Sequence, residues 1–423
     1  MRRINRLQIL AIAAIIIVSI GCKEHLDIDP AFTKTSLFKE VTEPEPSSGG
    51  FGTGDDTEAF SSTTGSKGSF TSSGVWGDGN PNGQFEPGVL TAGVWNDLEH
   101  WDFWNNLLSN QTYYEDVNTW NLKQIKRYSF LVLDENESFV ANAEISLIFN
   151  EIEVWKTKTD NKGKATLWSD LRLSNPTALI KIEGIEEVVE NVKDYTKGIN
   201  KVYLNRPITN KKIIDIYFAV DATGSMGDEL DYLKAELNNV IEQVKQNNAL
   251  IEMRFGSVFY RDEGDEYLTR KFDFTNDEAS LTSFISNQSA GGGGDFPEAV
   301  HSALDVAITQ NSWNENASSR IIFLLLDAPP HYTQEVISSI ELNLIKAAEE
   351  GIKIIPITAS GIDKATEYLM RSFAILTNGT YVFITDDSGI GNDHLEPTIG
   401  EFEVEKLNDL LVRLVGENVS GGQ

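Results

Sequence analysis

Apolar runs and amphipathic segments alternate along the second half of the chain. The run 213–220 is rich in β-branched and aromatic residues, which predicts a buried parallel strand. Leu230, Leu233, Leu237 and Val240 then recur three or four residues apart, which predicts an amphipathic helix. Further strands are predicted at 251–260, 267–274, 320–326, 352–358 and 380–384, and helices at 228–246, 277–287, 297–310, 335–350, 362–376 and 403–415. This alternation predicts an α/β domain with a doubly wound, mostly parallel sheet.

The first half follows a different pattern. Short β-type runs at 128–133, 144–149, 154–159, 165–168, 178–182 and 199–204 are separated by turn residues, which predicts a small all-β sandwich. The turn 159–165, Thr-Asp-Asn-Lys-Gly-Lys-Ala, resembles a turn of immunoglobulin-like modules of the carboxypeptidase-regulatory type. Before it, apolar residues at 94, 98, 101, 104 and 108 have helical spacing, and five of the eight Trp lie between 76 and 120. These Trp suit either a sugar-stacking surface or docking onto a neighbouring domain, and we expect docking.

The amino terminus predicts export. A basic start is followed by a short apolar stretch that ends in Ser19-Ile20-Gly21-Cys22, which is typical of a signal peptide. Cys22 is the only cysteine, and its setting resembles a bacterial lipobox, although Ser19 stands where Leu is usual. The alternative is an ordinary signal peptide with an incidental Cys. We expect a lipoprotein held by its lipid alone at the outer membrane or cell surface of a Gram-negative bacterium.

The predicted organisation therefore has five parts. They are a signal peptide (1–21), a disordered Gly/Ser/Thr-rich tether (22–88), a Trp-rich helical segment (89–124), an immunoglobulin-like β-sandwich (125–205) and the α/β domain (206–423). The formal net charge of −29 argues against nucleic acid or an anionic membrane surface as partners.

Candidate chemistry lies directly after the first α/β strand. Asp221, Thr223 and Ser225 provide three oxygen-bearing side chains within five residues, at the edge of the sheet where such folds bind ligands. Oxygen ligands suit a hard cation such as Mg²⁺. The alternative is that these residues only cap the following helix.

This Asp-x-Thr-x-Ser pattern resembles the metal-ion-dependent adhesion site of von Willebrand factor A domains. Gly294-Asp295-Phe296-Pro297-Glu298 resembles the loop in which integrin β subunits use Glu as a metal ligand, and Asp327 with Ala328 and His331 resembles their Asp-Ala-x-x-His. The resemblance implies a site of Asp221, Thr223, Ser225, Glu298 and Asp327 holding Mg²⁺ or Mn²⁺. It also implies a candidate adjacent Ca²⁺ site at Asp228 and Glu229.

The resemblance implies a binding protein and not an enzyme. In the family, a carboxylate of a protein ligand completes the metal coordination, so adhesion or assembly of a surface complex is the expected role. One alternative is a metal-dependent hydrolase, but only His301 and His331 lie near as general bases, and Thr223 replaces the second Asp of an Asp-x-Asp pair. Another is a scaffold whose metal is purely structural.

Overall fold

The computed structural model describes residues 85–109, 113–120, 122, 126–169 and 173–419. The predicted signal peptide, Cys22, Trp76 and nearly all of the predicted tether lie outside these residues, so those predictions stay predictions. No helix in the described part has the length and apolar character of a membrane span.

The described strands and helices have the following bounds. The strands are β1 (Thr91–Trp95), β2 (Lys126–Leu133), β3 (Glu144–Phe149), β4 (Ile152–Lys158), β5 (Lys164–Ser169), β6 (Thr177–Ile182), β7 (Ile185–Val189), β8 (Asn200–Tyr203), β9 (Ile213–Asp221), β10 (Glu252–Tyr260), β11 (Thr269–Thr275), β12 (Ser319–Leu326), β13 (Ile352–Thr358), β14 (Tyr381–Thr385) and β15 (Glu405–Lys406). The helices are α1 (Trp101–Ser109), α2 (Tyr114–Trp120), α3 (Leu230–Asn247), α4 (Glu278–Ser286), α5 (Val300–Thr309), α6 (Gln334–Glu350), α7 (Lys364–Leu376) and α8 (Leu407–Val419).

The large sheet has the strand order β11-β10-β9-β12-β13-β14-β1-β15. Strands β10, β9, β12, β13 and β14 run parallel, whereas β11 and β1 are antiparallel to their neighbours. Every residue of β12 is buried, as the continuous apolar run predicts for a strand covered on both faces. The predicted α/β class with a mostly parallel sheet is confirmed, and its six predicted strands and six predicted helices are present within a few residues.

The segment before the sandwich differs from its prediction. Thr91–Trp95 form strand β1, paired with β14, and the helix predicted from Val94 onward begins only at Trp101. Thr, Val and Trp are good strand formers, and the edge of β14 offers backbone partners that local helical spacing does not reveal. Trp95, Trp101, Trp104 and Trp120 are buried, which confirms that this segment docks.

The β-sandwich consists of a three-stranded sheet, β5-β2-β8, and a four-stranded sheet, β4-β3-β6-β7. The predicted all-β module is confirmed. Strand β7 was not predicted, because Glu186 and Glu187 interrupt its apolar pattern and its side chains are half-buried or exposed. The domain boundaries at 125 and 206 stay predictions.

The sandwich contacts the large sheet near the amino ends of its parallel strands. Arg320, at the start of β12, donates from both guanidinium Nη atoms to Asn142 Oδ1 at 3.1 Å. Lys353, near the start of β13, pairs with Asp160 of the predicted β4–β5 turn at 3.1 Å. The carboxyl ends of the strands therefore face away from the sandwich.

A buried ion cluster joins the Trp-rich segment to α7. The Arg371 guanidinium is fully buried and contacts Asp97 at 2.6 Å and Glu367 at 3.0 Å. It also donates to the Thr398 carbonyl at 2.8 Å, and it lies over the Trp104 ring. Because removing one partner of a buried ion pair leaves a charge without full compensation, this cluster fixes the segment firmly.

We expect Asp97→Ala to lower the free energy of unfolding by roughly 3–5 kcal/mol, because Arg371 would keep only Glu367 as its carboxylate partner. Asp102→Ala, at an exposed site on the neighbouring helix, is the control and should change it by less than about 0.5 kcal/mol. Denaturant unfolding followed by tryptophan fluorescence measures both. Equal midpoints for the two variants would show that the cluster does not hold the segment in place.

Candidate metal centre

Three loops meet at the carboxyl edge of the large sheet. The loop after β9 is bonded to the end of β10, where the Ala222 amide donates to the Tyr260 carbonyl at 2.9 Å. The glycine-rich loop before α5 joins it, with the Gly291 amide donating to the Ala222 carbonyl at 3.0 Å. The glycine-rich loop also contacts the loop after β12, because the Glu298 amide donates to the Pro329 carbonyl at 2.8 Å. Adjacent parallel strands thus bring the predicted ligand loops together.

The Asp-x-Thr-x-Ser turn is held by its own side chains. Asp221 Oδ1 accepts from the Thr223 amide at 2.9 Å and from the Thr223 hydroxyl at 2.7 Å. The Thr223 hydroxyl lies 3.1 Å from that of Ser225. Asp221 and Thr223 are fully buried, whereas Ser225 is exposed. The predicted helix cap is not formed by Thr223, because its side chain accepts no bond from the turn that follows.

The Glu298 carboxylate lies beside Thr223 because the glycine at 293 leaves room for it. Glu298 is buried, and a Cβ on Gly293 would lie 2.9 Å from Glu298 Oε1 and 3.5 Å from Thr223 Cβ. Gly293 has φ +71°, a conformation that favours glycine. The loop therefore allows the Glu298 carboxylate to lie beside Thr223, which a larger residue at 293 would obstruct.

The buried carboxylates raise one another's pKa values. Burial, followed by repulsion from Asp327, raises the pKa of Asp221 to about 7. Burial, followed by repulsion from Asp221 and Asp262, raises the pKa of Glu298 to about 9. Asp327 is itself buried at the end of β12. In the absence of a cation, the site therefore holds protons at pH values where isolated carboxyl groups are ionised.

The donor set fits a hard divalent cation. Asp221 Oδ2 and Glu298 Oε2 are buried, and neither has a well-aligned hydrogen-bond partner among the described residues, although the Tyr260 hydroxyl lies beside Asp221. Two carboxylate oxygens and two hydroxyls beside them are ligands that Mg²⁺ or Mn²⁺ accepts. Within the described part, no three His, Cys, Asp or Glu side chains are already spaced around one metal position. The three carboxylates Asp221, Glu298 and Asp327 are therefore not yet arranged around one metal position in this structure.

Glu229, predicted as part of an adjacent Ca²⁺ site, has other partners. Its carboxylate is buried, accepts from the Ser360 amide at 3.1 Å and lies 3.0 Å from His394 Nε2. A Cβ on Gly391 would lie 2.1 Å from Glu229 Oε1, so the loop backbone presses against it. The side chain of Asp228 lies outside the described part. These contacts to Glu229 Oε1 help to fix the 386–394 segment, whereas Glu229 Oε2 is buried without an aligned partner among the described residues, so the adjacent Ca²⁺ site stays a prediction.

Two residues beside the site, Asp265 and Arg261, were not singled out from the sequence. Asp265 accepts from the Gly293 amide at 2.8 Å, and Arg261 donates to the Ala222 and Ser289 carbonyls at 3.1 and 2.8 Å. His331 Nε2 lies 2.7 Å from Asp262 Oδ1. The acidic run 262–266 directly after a buried strand was the available signal for these contacts. Asp295, in contrast, is exposed on the glycine-rich loop.

Comparisons with known proteins agree with this architecture. Residues 215–375 match the family model described as von Willebrand factor A domain. The chain is 24% identical over 284 residues to the alpha-protein kinase vwkA of Dictyostelium discoideum, covering 63% of this chain and 45% of that protein. It is 25% identical over 211 residues to a putative ariadne-like RING finger protein, R811, of Acanthamoeba polyphaga mimivirus, covering 49% of this chain and 21% of that protein. The chain thus spans less than half the length of either relative.

Two solved structures from Bacteroides also resemble the chain. One is the conserved hypothetical protein BatB of Bacteroides thetaiotaomicron, with 14% identity, a TM-score of 0.34, and coverage of 48% of this chain and 98% of that one. The other is an aerotolerance-related membrane protein of Bacteroides fragilis, with 13% identity, a TM-score of 0.32, and coverage of 49% and 98%.

The raised pKa of Asp221 leads to a stability prediction for the metal-free chain. A folded-state pKa of about 7, above the unfolded value near 4, gives stability that is present at low pH and lost as the pH rises through 7. Asp221→Asn keeps the Oδ1 acceptor and removes the charge. The parent loses this stability progressively between about pH 4 and about pH 7. With a chelator present, we therefore expect the variant to melt several degrees above the parent at pH 8 and by a clearly smaller margin at pH 5.

Thermal melts of parent and variant at the two pH values measure this difference. Asp295→Asn removes an exposed carboxylate from the neighbouring loop and should leave the melting temperature unchanged at both pH values. A melting difference for Asp221→Asn that is the same at pH 5 and pH 8 would contradict the proposed repulsion.

Proposed function

Because residues 215–375 form a von Willebrand factor A domain, we propose that this chain binds a protein ligand through a divalent metal held by Asp221, Thr223, Ser225, Glu298 and Asp327. Mg²⁺ or Mn²⁺ is the proposed ion, and a carboxylate of the ligand completes its coordination. The role is adhesion or assembly of a surface complex, without catalysis by this chain.

The observation that carries this proposal is the pair of buried oxygens, Asp221 Oδ2 and Glu298 Oε2, that lack aligned partners among the described residues. Buried charged groups without partners are costly, and a cation offsets both the burial and the mutual repulsion. The carboxylates lie at the carboxyl edge of the sheet, where open α/β folds place their ligands.

The edge is also open to a partner. Ser225, Gly292 and Gly294 are exposed around the buried carboxylates, and so are the aromatic rings of Phe296 and Tyr332. A metal bound beside Ser225 has access to solvent on that side. This access favours a metal that bridges to an outside ligand over a purely structural one.

The partner's carboxylate must approach a strongly acidic chain of net charge −29. Without the cation, the acidic residues at this edge would repel such a ligand. We therefore expect binding of the ligand to depend wholly on the metal, and a chelator should abolish it.

Calorimetric titration of Mg²⁺, Mn²⁺ and Ca²⁺ into the full chain tests the metal site. We expect saturable binding of Mg²⁺ and Mn²⁺ near one ion per chain, lost in Asp221→Ala and Glu298→Ala because each removes a buried charged ligand. Asp295→Ala, on the same loop as Glu298 but exposed, is the matched control and should bind like the parent. If the parent binds no ion, the site is only a helix-start turn with protonated carboxyls.

Water-proton relaxation by bound Mn²⁺ separates a bridging metal from a structural one. An open coordination position exchanges water and enhances relaxation, and a short Asp- or Glu-containing peptide should reduce the enhancement by displacing that water. A bound Mn²⁺ with no exchangeable water would identify the metal as structural and overturn the proposed ligand role.

We also propose that Cys22 carries a lipid that anchors the chain to the outer membrane or cell surface, with the tether holding the folded part away from the bilayer. The support is the lipobox-like Ser19-Ile20-Gly21-Cys22 after a basic and apolar start. Two acyl chains would give stable attachment, since one chain gives only marginal binding.

Expression in a Gram-negative host with radiolabelled palmitate tests the anchor. The parent should incorporate label and sediment with membranes, whereas Cys22→Ser should do neither. Ser19→Leu restores the usual lipobox residue and should label at least as well as the parent. Equal membrane recovery of Cys22→Ser and parent would argue for an ordinary signal peptide.

A further inference from the structure

The end of strand β10 contacts all three loops of the candidate metal centre. The Tyr260 carbonyl accepts a hydrogen bond from the Ala222 amide. Ala222 belongs to the loop that carries Thr223 and Ser225. Arg261 and Asp262 follow in the chain, and Asp265 lies three residues further on. We call Tyr260, Arg261, Asp262 and Asp265 the strand-end clamp.

Arg261 joins the first loop to the glycine-rich loop. Its Nε donates to the Ala222 carbonyl at 3.1 Å and its Nη2 donates to the Ser289 carbonyl at 2.8 Å. The guanidinium is almost fully buried, and a Cβ on Gly291 would lie 3.1 Å from its Nη2. The planar fork of Arg thus reaches two carbonyls from different loops, which a lysine could not do with the same geometry.

Asp265 holds the glycine-rich loop at the point where it meets Glu298. Its Oδ2 accepts from the Gly293 amide at 2.8 Å and from the Asp262 amide at 3.1 Å. A Cβ on Gly292 would lie 2.2 Å from the same carboxylate oxygen, so a glycine at this position leaves the space that the Asp265 side chain occupies. Gly293 in turn lies against Glu298 Oε1.

Asp262 holds the third loop. Its buried carboxylate lies 2.7 Å from His331 Nε2, and His331 stands four residues after Asp327. Because an ionised carboxylate can only accept, the imidazole donates this bond. His331 Nε2 therefore donates to Asp262 and does not face an outside substrate.

We propose that the strand-end clamp positions the metal ligands, with Arg261 and Asp265 fixing the loop of Glu298 and Asp262 fixing the loop of Asp327 through His331. The role that we give to the clamp rests on the proposed metal-binding function. Replacing residues that orient the direct ligands of a metal typically weakens metal binding by about 10- to 100-fold.

Hydrogen exchange of the metal-free full chain, followed by mass spectrometry, tests the clamp without a metal. Asp265→Ala should speed exchange in peptides covering 288–294 by at least about tenfold and leave 329–333 unchanged. Asp262→Ala should speed exchange in 329–333, and Asp262→Asn, which keeps an acceptor for His331, should restore the parent rate. Glu263→Ala and Arg270→Gln, at less buried sites of the same hairpin, are the controls.

Mn²⁺ titration of the same variants supplies the second readout. Asp265→Ala, Arg261→Gln and Asp262→Ala should weaken Mn²⁺ binding about 10- to 100-fold, with Asp262→Asn closer to the parent. Uniformly faster exchange over the whole domain, or unchanged exchange in both loops, would overturn the clamp. If the parent fails to bind Mn²⁺, the proposed function fails, while the loop-specific exchange pattern still decides whether the clamp exists.

Discussion

Repulsion among carboxylates buried at one edge of the large sheet is the constraint to which the surrounding structure responds. Asp221 and Asp327 lie at the ends of two adjacent parallel strands, whose carboxyl ends are side by side, and Glu298 is joined to this edge by the bond from its amide to the Pro329 carbonyl. Burial raises the pKa values of Asp221 and Glu298, so the metal-free chain keeps protons there. The buried Arg261 and Asp265 hold the glycine-rich loop next to these groups through bonds to the Ser289 carbonyl and the Gly293 amide.

Within the described residues, the sandwich is attached away from this edge. The sandwich contacts the amino ends of β12 and β13, and the Trp-rich segment adds β1 beside β14. This segment is also bound by Glu236 of α3, whose carboxylate accepts the amides of Gly88 and Val89 at 2.8 and 3.0 Å. A chain cut at residue 206 would lack β1 and leave Arg371 without Asp97. The α/β domain thus depends on residues that precede the sandwich in sequence.

The parallel strands were predictable because each contains a run of apolar, β-branched or aromatic residues, which is typical of strands that are buried on both faces. The loops could be placed at one edge for the same reason, since the carboxyl ends of such strands meet. Strand β1 could not be predicted, because its pairing with β14 joins residues almost 300 positions apart and its own spacing favours a helix. The acidic run 262–266 draws attention to Asp265, but its contacts and those of Arg261 could not be predicted, since they depend on the path of a glycine loop whose φ values no local pattern fixes.

Glu229 shows why a residue match alone does not assign a site. An acidic residue in the first turn of a helix can serve a cation, the helix dipole or a buried hydrogen-bond network. Here the imidazole of His394 lies between Glu229 and Asp386, at 3.0 and 2.8 Å, and the Ser360 amide completes the cluster. The contacts from His394 and Ser360 both reach Glu229 Oε1, whereas Glu229 Oε2, like Asp221 Oδ2 and Glu298 Oε2, is buried without an aligned hydrogen-bond partner among the described residues. Because Oε1 is engaged by the 386–394 segment and Oε2 is not, the contacts of Glu229 neither assign nor exclude an adjacent cation, and that site stays a prediction.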